Sequence, residues 1–302
     1  MMHEIGPLLK RLRTQRKITQ EVLAWSAGID RATLSKIETG KATPNNTTLL
    51  VLFEKLGYDA LNIGSLLLSK EEAEWQRVRV VIEAHISRAE YDAAAERIAE
   101  LESQKSFADS SQLKHMVMHY KGQILLHTGK PPEALTMFKN AITQTIPSFD
   151  EGKIGQYYFS NLEILTINML SSAYGMSGQI EKAIEIIAAL KENFDENCLD
   201  RNMWGKFYPI IIYHLTRYLC LSKKFEEALA HCEVGRKASI AGYSTYLPYI
   251  ALNEAYCHAE LGNKEKGEEL FRQAYYAFNL FQLPANAEAV KRDAKKYVDV
   301  EL

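Results

Sequence analysis

The chain has 302 residues and a net charge of −2, which is longer than one ordinary core fills, so two or more units or a repeat array are expected. The near-neutral total hides an asymmetry: residues 1–60 carry nine Lys or Arg against six Asp or Glu, and the rest carry 27 against 32. A basic head on an acidic body fits phosphate contact by the head alone. No secretory leader follows Met1 and no apolar run approaches the ~18 residues that span a bilayer, so a cytoplasmic chain without membrane contact is expected.

In the head, Ile5, Leu8, Leu9 and Leu12 recur at helical spacing, with Lys10, Arg11, Arg13, Arg16 and Lys17 on the other faces, which predicts an amphipathic first helix. Thr19 has the chemistry to cap a second helix with Leu23, Ala24 and Ala27 inward, and Gly28 suits a tight turn that needs positive φ. Asp30 is placed to cap a third helix, Arg31 to Thr39. With Leu34 and Ile37 facing the core, Arg31, Ala32, Ser35 and Lys36 fall on the opposite side and Thr33 on the flank. A fourth helix follows Pro44 with Leu49, Leu50, Phe53 and Leu56. Val22 and Trp25 are out of pattern, an apolar pair on a face that should be polar. Packing of Trp25 on another domain or subunit stands beside an indole resting on a DNA backbone or half buried.

The run Arg11 to Arg16, Thr19-Gln20-Glu21, Leu23-Ala24, Gly28, Leu34-Ser35-Lys36-Ile37-Glu38 and Gly40-Lys41 resembles the DNA-binding domain of Cro and the phage repressors, the XRE type. The resemblance implies that the third helix enters the major groove. Arg31 would pair with a guanine, Lys36 with a guanine or phosphate, and Ala32 with a thymine methyl, while Ser35 shares that face. It further implies that Gln20 bonds a phosphate and braces the third helix, that Thr33 is a further phosphate contact, and that Arg13 pairs with Glu38.

From about Ser69 the helical period continues almost to the end, so the whole chain reads as all-α. Polar turns followed by an Ala-centred helix recur at Arg88, Gly129, Gly178, Lys223 and Gly262, implying five hairpins. The small-residue positions Ala94, Ala134, Ala183, Ala228 and Gly267 are 40, 49, 45 and 39 apart. The clearest unit, with Gly122, Ala134, Phe138, Ala141 and Pro147, resembles a tetratricopeptide repeat lengthened beyond the usual ~34 residues. The last unit repeats it with Tyr256, Gly267, Phe271 and Ala274. The expected organisation is a helix-turn-helix at 1–66, a connecting helix and the start of the first hairpin at 67–88, a right-handed tetratricopeptide-like α-solenoid at 89–284, and a capping helix at 285–302.

Together these features resemble the peptide-responsive quorum-sensing regulators of Gram-positive bacteria, the type that includes Rap, Rgg, NprR, PlcR and PrgX. The resemblance implies a homodimeric transcription regulator that binds a double-stranded operator and takes a short linear signalling peptide in the concave groove. Counting along the first helix of each hairpin puts His119 and Gln123, Asn168 and Ser172, Tyr213 and Arg217, and Asn253 and Tyr256 toward such a groove, as amide clamps and side-chain pockets. A tetratricopeptide scaffold or a response-regulator-binding protein with a DNA-binding head is the alternative.

His115 and His119 lie one turn apart, a spacing open to metal, but no third ligand accompanies them. Cys198, Cys220, Cys232 and Cys257 form no close pair in sequence and read as buried free thiols. No phosphate loop, Gly-x-Ser-x-Gly elbow or His-Glu-x-x-His occurs, so no enzyme, metal or cofactor is expected.

Overall fold

The computed structural model describes residues 2–58, 70–197, 201–242 and 244–302; Cys198 and the boundary expected at 66/67 lie outside them. Among the described residues there are fifteen α-helices, two short 3-10 segments and no strand. Two compact units divide between Val81 and Ile82, within the helix Lys70–Ser87.

In the first unit, α1 (Met2–Gln15), α2 (Gln20–Ser26), α3 (Arg31–Glu38) and α4 (Asn46–Lys55) enclose one core. The starts of α2, α3 and α4 are set by side-chain caps: Thr19 accepts from Val22 N, Asp30 from Thr33 N and Asn45 from Thr48 N. Gly28, at φ 67, makes the turn between α2 and α3. Leu9, Leu34, Leu52, Phe53 and Leu56 are fully buried, each such side chain gaining roughly 1.5–3 kcal/mol over exposure. Gly6 settles how close α1 comes to α3, since a Cβ there would stand 2.1 Å from Ile37 O.

The second unit begins at Ile82 within α5 (Lys70–Ser87), which leads to α6 (Tyr91–Glu102), and continues as a stack of helix pairs in which α7 (Ser111–His127) leads to α8 (Pro131–Thr145) and α9 (Asn161–Met176) to α10 (Ile180–Asn197). The series continues with α11 (Arg201–Leu221) to α12 (Phe225–Ala241) and α13 (Leu247–Glu260) to α14 (Lys264–Leu280), and ends in α15 (Pro284–Val298), the expected terminal helix. All five turns contain a left-handed residue, at Ala89, Gly129, Gly178, Lys223 and Gly262. The first helices α7, α9, α11, α13 and α15 pack side by side in sequence, forming one layer. Gly122 lets α7 meet α8, because a Cβ there would lie 2.6 Å from the Phe138 ring, and Ala134, Phe138 and Ala141 are fully buried around it. The 49-residue spacing from Ala134 to Ala183 is taken up between α8 and α9 by a loop with a 3-10 segment, Glu151–Gln156. Asn193 pins that loop by donating to Ile154 O and Tyr157 O.

Candidate nucleic-acid interface and ligand-facing stripe

Three helices of the head meet at one carboxylate. Glu38, 2% exposed at the end of α3, accepts from Arg13 Nε at 2.6 Å and Nη2 at 3.0 Å, and from Gln20 Nε2 at 2.7 Å. Arg13 also donates to Ile18 O, closing the end of α1 onto the start of α2. Burial pushes the Glu38 carboxyl up, but the bonds from Arg13 and Gln20 outweigh it and hold it below the usual range. Gln20 is therefore a brace across α2 and α3, giving one of its two amide N–H groups to Glu38.

This brace fixes what α3 presents. Leu34 and Ile37 are buried, Arg31, Ala32 and Lys36 are exposed, and Thr33 and Ser35 are half-buried. Arg31 contacts Glu21 at 3.2 Å, an exposed pair. The Thr33 hydroxyl donates to the Asp30 carboxylate at 2.6 Å, which commits its proton to the cap. An open depression of about 400 Å³, with Arg13, Lys17, Gln20 and Arg31 among its lining residues, lies at the start of α2. Val22 and Trp25 are 56% and 82% exposed, so the indole is not half buried.

In the second unit, the eight groove candidates fall on the layer of first helices but not in one state. Arg217 is exposed, and Gln123, Tyr213 and Tyr256 are half-buried. His119, Asn168, Ser172 and Asn253 are buried, a correction to the expectation that all eight face a groove. The reason is helix register: on α9 the partly open positions include Leu162, Leu165 and Met169, and on α13 they include Tyr249, Leu252 and Tyr256, so polarity alone selected some neighbours that point inward.

Those inward residues hold the layer together. His119 Nδ1 and His115 Nε2 both lie within hydrogen-bond distance of Thr166 Oγ1, at 2.9 and 2.8 Å. The Thr166 hydroxyl itself donates to Leu162 O, so both imidazoles donate to it. Their remaining nitrogens then accept, His119 Nε2 from Gln123 and His115 Nδ1 from Thr145, whose hydroxyl proton is shared with Ile142 O. This pairing needs both rings neutral, and burial lowers His115 to about 4 and His119 to about 3. All four ring nitrogens are used, and no metal-ligand cluster occurs among the described residues.

Ser172 faces His214 at 3.2 Å, and Asn253 donates to Tyr213 O and Thr216 Oγ1. Tyr256 donates to Asp293. Asn168 differs from all of these: it is 0% exposed, and neither its amide nitrogen nor its carbonyl oxygen has a partner.

A helix-turn-helix family model matches residues 9–61. The head is a helix-turn-helix domain. No curated protein sequence matches the chain, but solved structures match its architecture almost end to end. PlcR of Bacillus thuringiensis, in complex with the peptide PapR7 and DNA, superposes with a TM-score of 0.75 at 16% identity, covering 95% of this chain and 99% of that one. The apo form of PlcR gives 0.61 at 14% identity over 95% and 98%. ComR from S. thermophilus, in complex with DNA and its signalling peptide ComS, gives 0.59 at 14% identity over 97% and 99%. At these identities the likeness is one of fold: a helix-turn-helix head followed by a helical repeat domain, as in PlcR and ComR. Among the described residues no helix is long and apolar enough to cross a membrane.

Proposed function

We propose that the chain is a sequence-specific DNA-binding transcription regulator, acting as a cytoplasmic homodimer and controlled by a short peptide held against α7, α9, α11 and α13. The observation that carries the first part is the exposed Arg31, Ala32 and Lys36 on a helix whose opposite face is buried and whose end is fixed by Arg13 and Gln20 through Glu38. A guanidinium at the start of such a helix suits the N7 and O6 of guanine, and Lys36 adds a second cation five residues on. Gln20, Thr33 and Ser35 are the further DNA contacts on and beside that face, Gln20 and Thr33 also bracing it from within the head. Two heads on a two-fold axis would read two half-sites.

Support for the peptide comes from Gln123 on α7 and Tyr256 on α13, partly open polar side chains of the layer that can bond a peptide backbone. Arg217 is an exposed cation on the neighbouring helix and suits a carboxylate.

The test selects an operator from random duplexes with the full chain and measures affinity at fixed salt. Arg31→Ala should cost about 1–3 kcal/mol and relax choice at one base pair; an equal loss on every sequence refutes base reading by Arg31. Peptides from any short reading frame beside the gene should then alter operator affinity, and Arg217→Ala should weaken that response while leaving basal DNA binding intact. Operator affinity indifferent to every such peptide, with a protein partner recovered instead, would favour the scaffold reading.

A further inference from the structure

On α11, Tyr213, Arg217 and Cys220 follow at helical spacing along the stripe that neighbouring helices leave at least partly open. Cys220 Sγ lies 3.2 Å from Cys257 Sγ of α13, and 3.8 Å from the Asn253 carbonyl. The two contacts order the protons: Cys220 donates to Asn253 O, so Cys257 donates to Cys220. The hydrogen bond with Cys220, and after it burial, holds the Cys257 thiol well above the ordinary range. The pair is asymmetric in access, because Cys257 is fully buried and Cys220 is partly exposed. All three described cysteines are free thiols, and 37 residues separate the two that touch, which is why spacing along the chain concealed them.

We propose that Cys220 and Cys257 are an oxidation site for hydroperoxides, Cys220 being the sulfur attacked from solvent and Cys257 the one that resolves it into a disulfide tying α11 to α13. In the first step Cys220 sulfur takes the terminal oxygen of the hydroperoxide. The O–O bond breaks, the thiol proton leaves with the alcohol or water released, and Cys220 becomes a sulfenic acid, oxidised by two electrons as the peroxide is reduced. In the second, Cys257 sulfur attacks Cys220 sulfur, the S–O bond breaks, and the hydroxyl departs as water with the Cys257 proton. A disulfide bond is about 2.05 Å long, so the sulfurs need to close by roughly 1 Å. In a reducing compartment such a bond is transient and fits sensing better than scaffolding. The chemistry is independent of the peptide reading, although the bond would form one turn beyond Arg217.

The experiment treats the reduced full chain with hydrogen peroxide, alkylates the remaining thiols and maps peptides without reduction. A cross-linked Cys220–Cys257 peptide that dithiothreitol removes is expected, and Cys232→Ser should leave it in place. Cys257→Ser should stop at a sulfenic acid on Cys220, trapped by dimedone. The proposal is overturned if both thiols stay alkylatable at doses that oxidise free cysteine, or if the cross-link instead runs through Cys198 or Cys232.

Discussion

Glu38 in the head and His119 in the body are almost equally inaccessible, at 2% and 1% exposure, yet one is held charged and the other neutral. Around Glu38 the three donated hydrogen bonds converge from two other helices, and one donor carries a full positive charge. Around His119 and His115 the partners are two hydroxyls and an amide, which satisfy a neutral ring, and burial outweighs the pull of the Glu163 carboxylate on His115. Burial has the same sign of cost in both places, and the charge of the partners decides which protonation state survives. The head uses a buried ion to hold three short helices in one arrangement, whereas the repeat layer uses a neutral chain of bonds to join α7, α8 and α9.

The largest expected effect tests the charged side. Arg13→Ala leaves Glu38 buried without its cation and should destabilise the head by about 3–5 kcal/mol. Glu38→Gln, which keeps the shape and loses the charge, should cost less. Segment-resolved hydrogen exchange should lose protection over α1–α3 and retain it over α7–α10. Equal loss in both segments would mean that the two clusters are not separate devices.

Next comes the neutral side. Thr166→Val removes the shared acceptor of two imidazole N–H groups and should cost about 2–3 kcal/mol. Gln123→Ala, at the half-buried end of the same chain of bonds, should cost about 1 kcal/mol or less. Chemical unfolding of the full chain checks the order, and a larger cost at Gln123 would place the stabilising contact elsewhere.

These two clusters also mark how far the sequence could be read. The caps at Thr19, Asp30 and the five hairpin turns were legible because each rests on residues adjacent in the chain. Arg13 with Glu38 was legible only through resemblance, since their partnership crosses 25 residues. The histidine chain was not, because it is assembled from α7, α8 and α9, and spacing alone showed only that His115 and His119 lie one turn apart. The same limit applies to Asn168 and Asn253: helical period gives the register to within about one residue, and one residue, about 100° of rotation, separates Asn168 from the partly open Met169. Cys220 and Cys257 escaped for the simplest reason, a contact between helices whose sequence positions suggest no relation.

A smaller effect separates the clusters by pH. His115, His119 and His214 are lowered by burial to about 4, about 3 and about 3, against about 6.5 in an unfolded chain. The unfolded state therefore takes up protons first as pH falls. Stability contributed by the neutral rings is complete above about pH 6.5 and is lost toward pH 4, by up to about 1.4 kcal/mol per pH unit for each ring. Glu38 is lowered instead, so its contribution survives until pH falls below the ordinary carboxylate range near ~4.3. Between about pH 6.5 and 4.5 the body should weaken while the head does not. Histidine resonances that stay neutral across this window, with unfolding free energy falling, would agree; titration of all three near pH 6.5 in the folded chain would break the contrast.

The smallest effect concerns the exposed pair of Arg31 and Glu21, 3.2 Å apart with side chains 65% and 72% exposed. Ion pairs this open to water contribute little to stability, so Glu21→Ala should leave the thermal midpoint unchanged, unlike either buried cluster. Its effect should fall on DNA, where Arg31 must exchange a carboxylate for a guanine edge and where Glu21 also repels phosphate. Removing that competitor should raise operator affinity by about two- to fivefold, the equivalent of a surface ion pair, and more at low salt than at high. A fall in affinity would give Glu21 the opposite role: it would then hold the Arg31 guanidinium in its reading position, as Glu38 holds Arg13, and the exposed pair would belong with the buried brace.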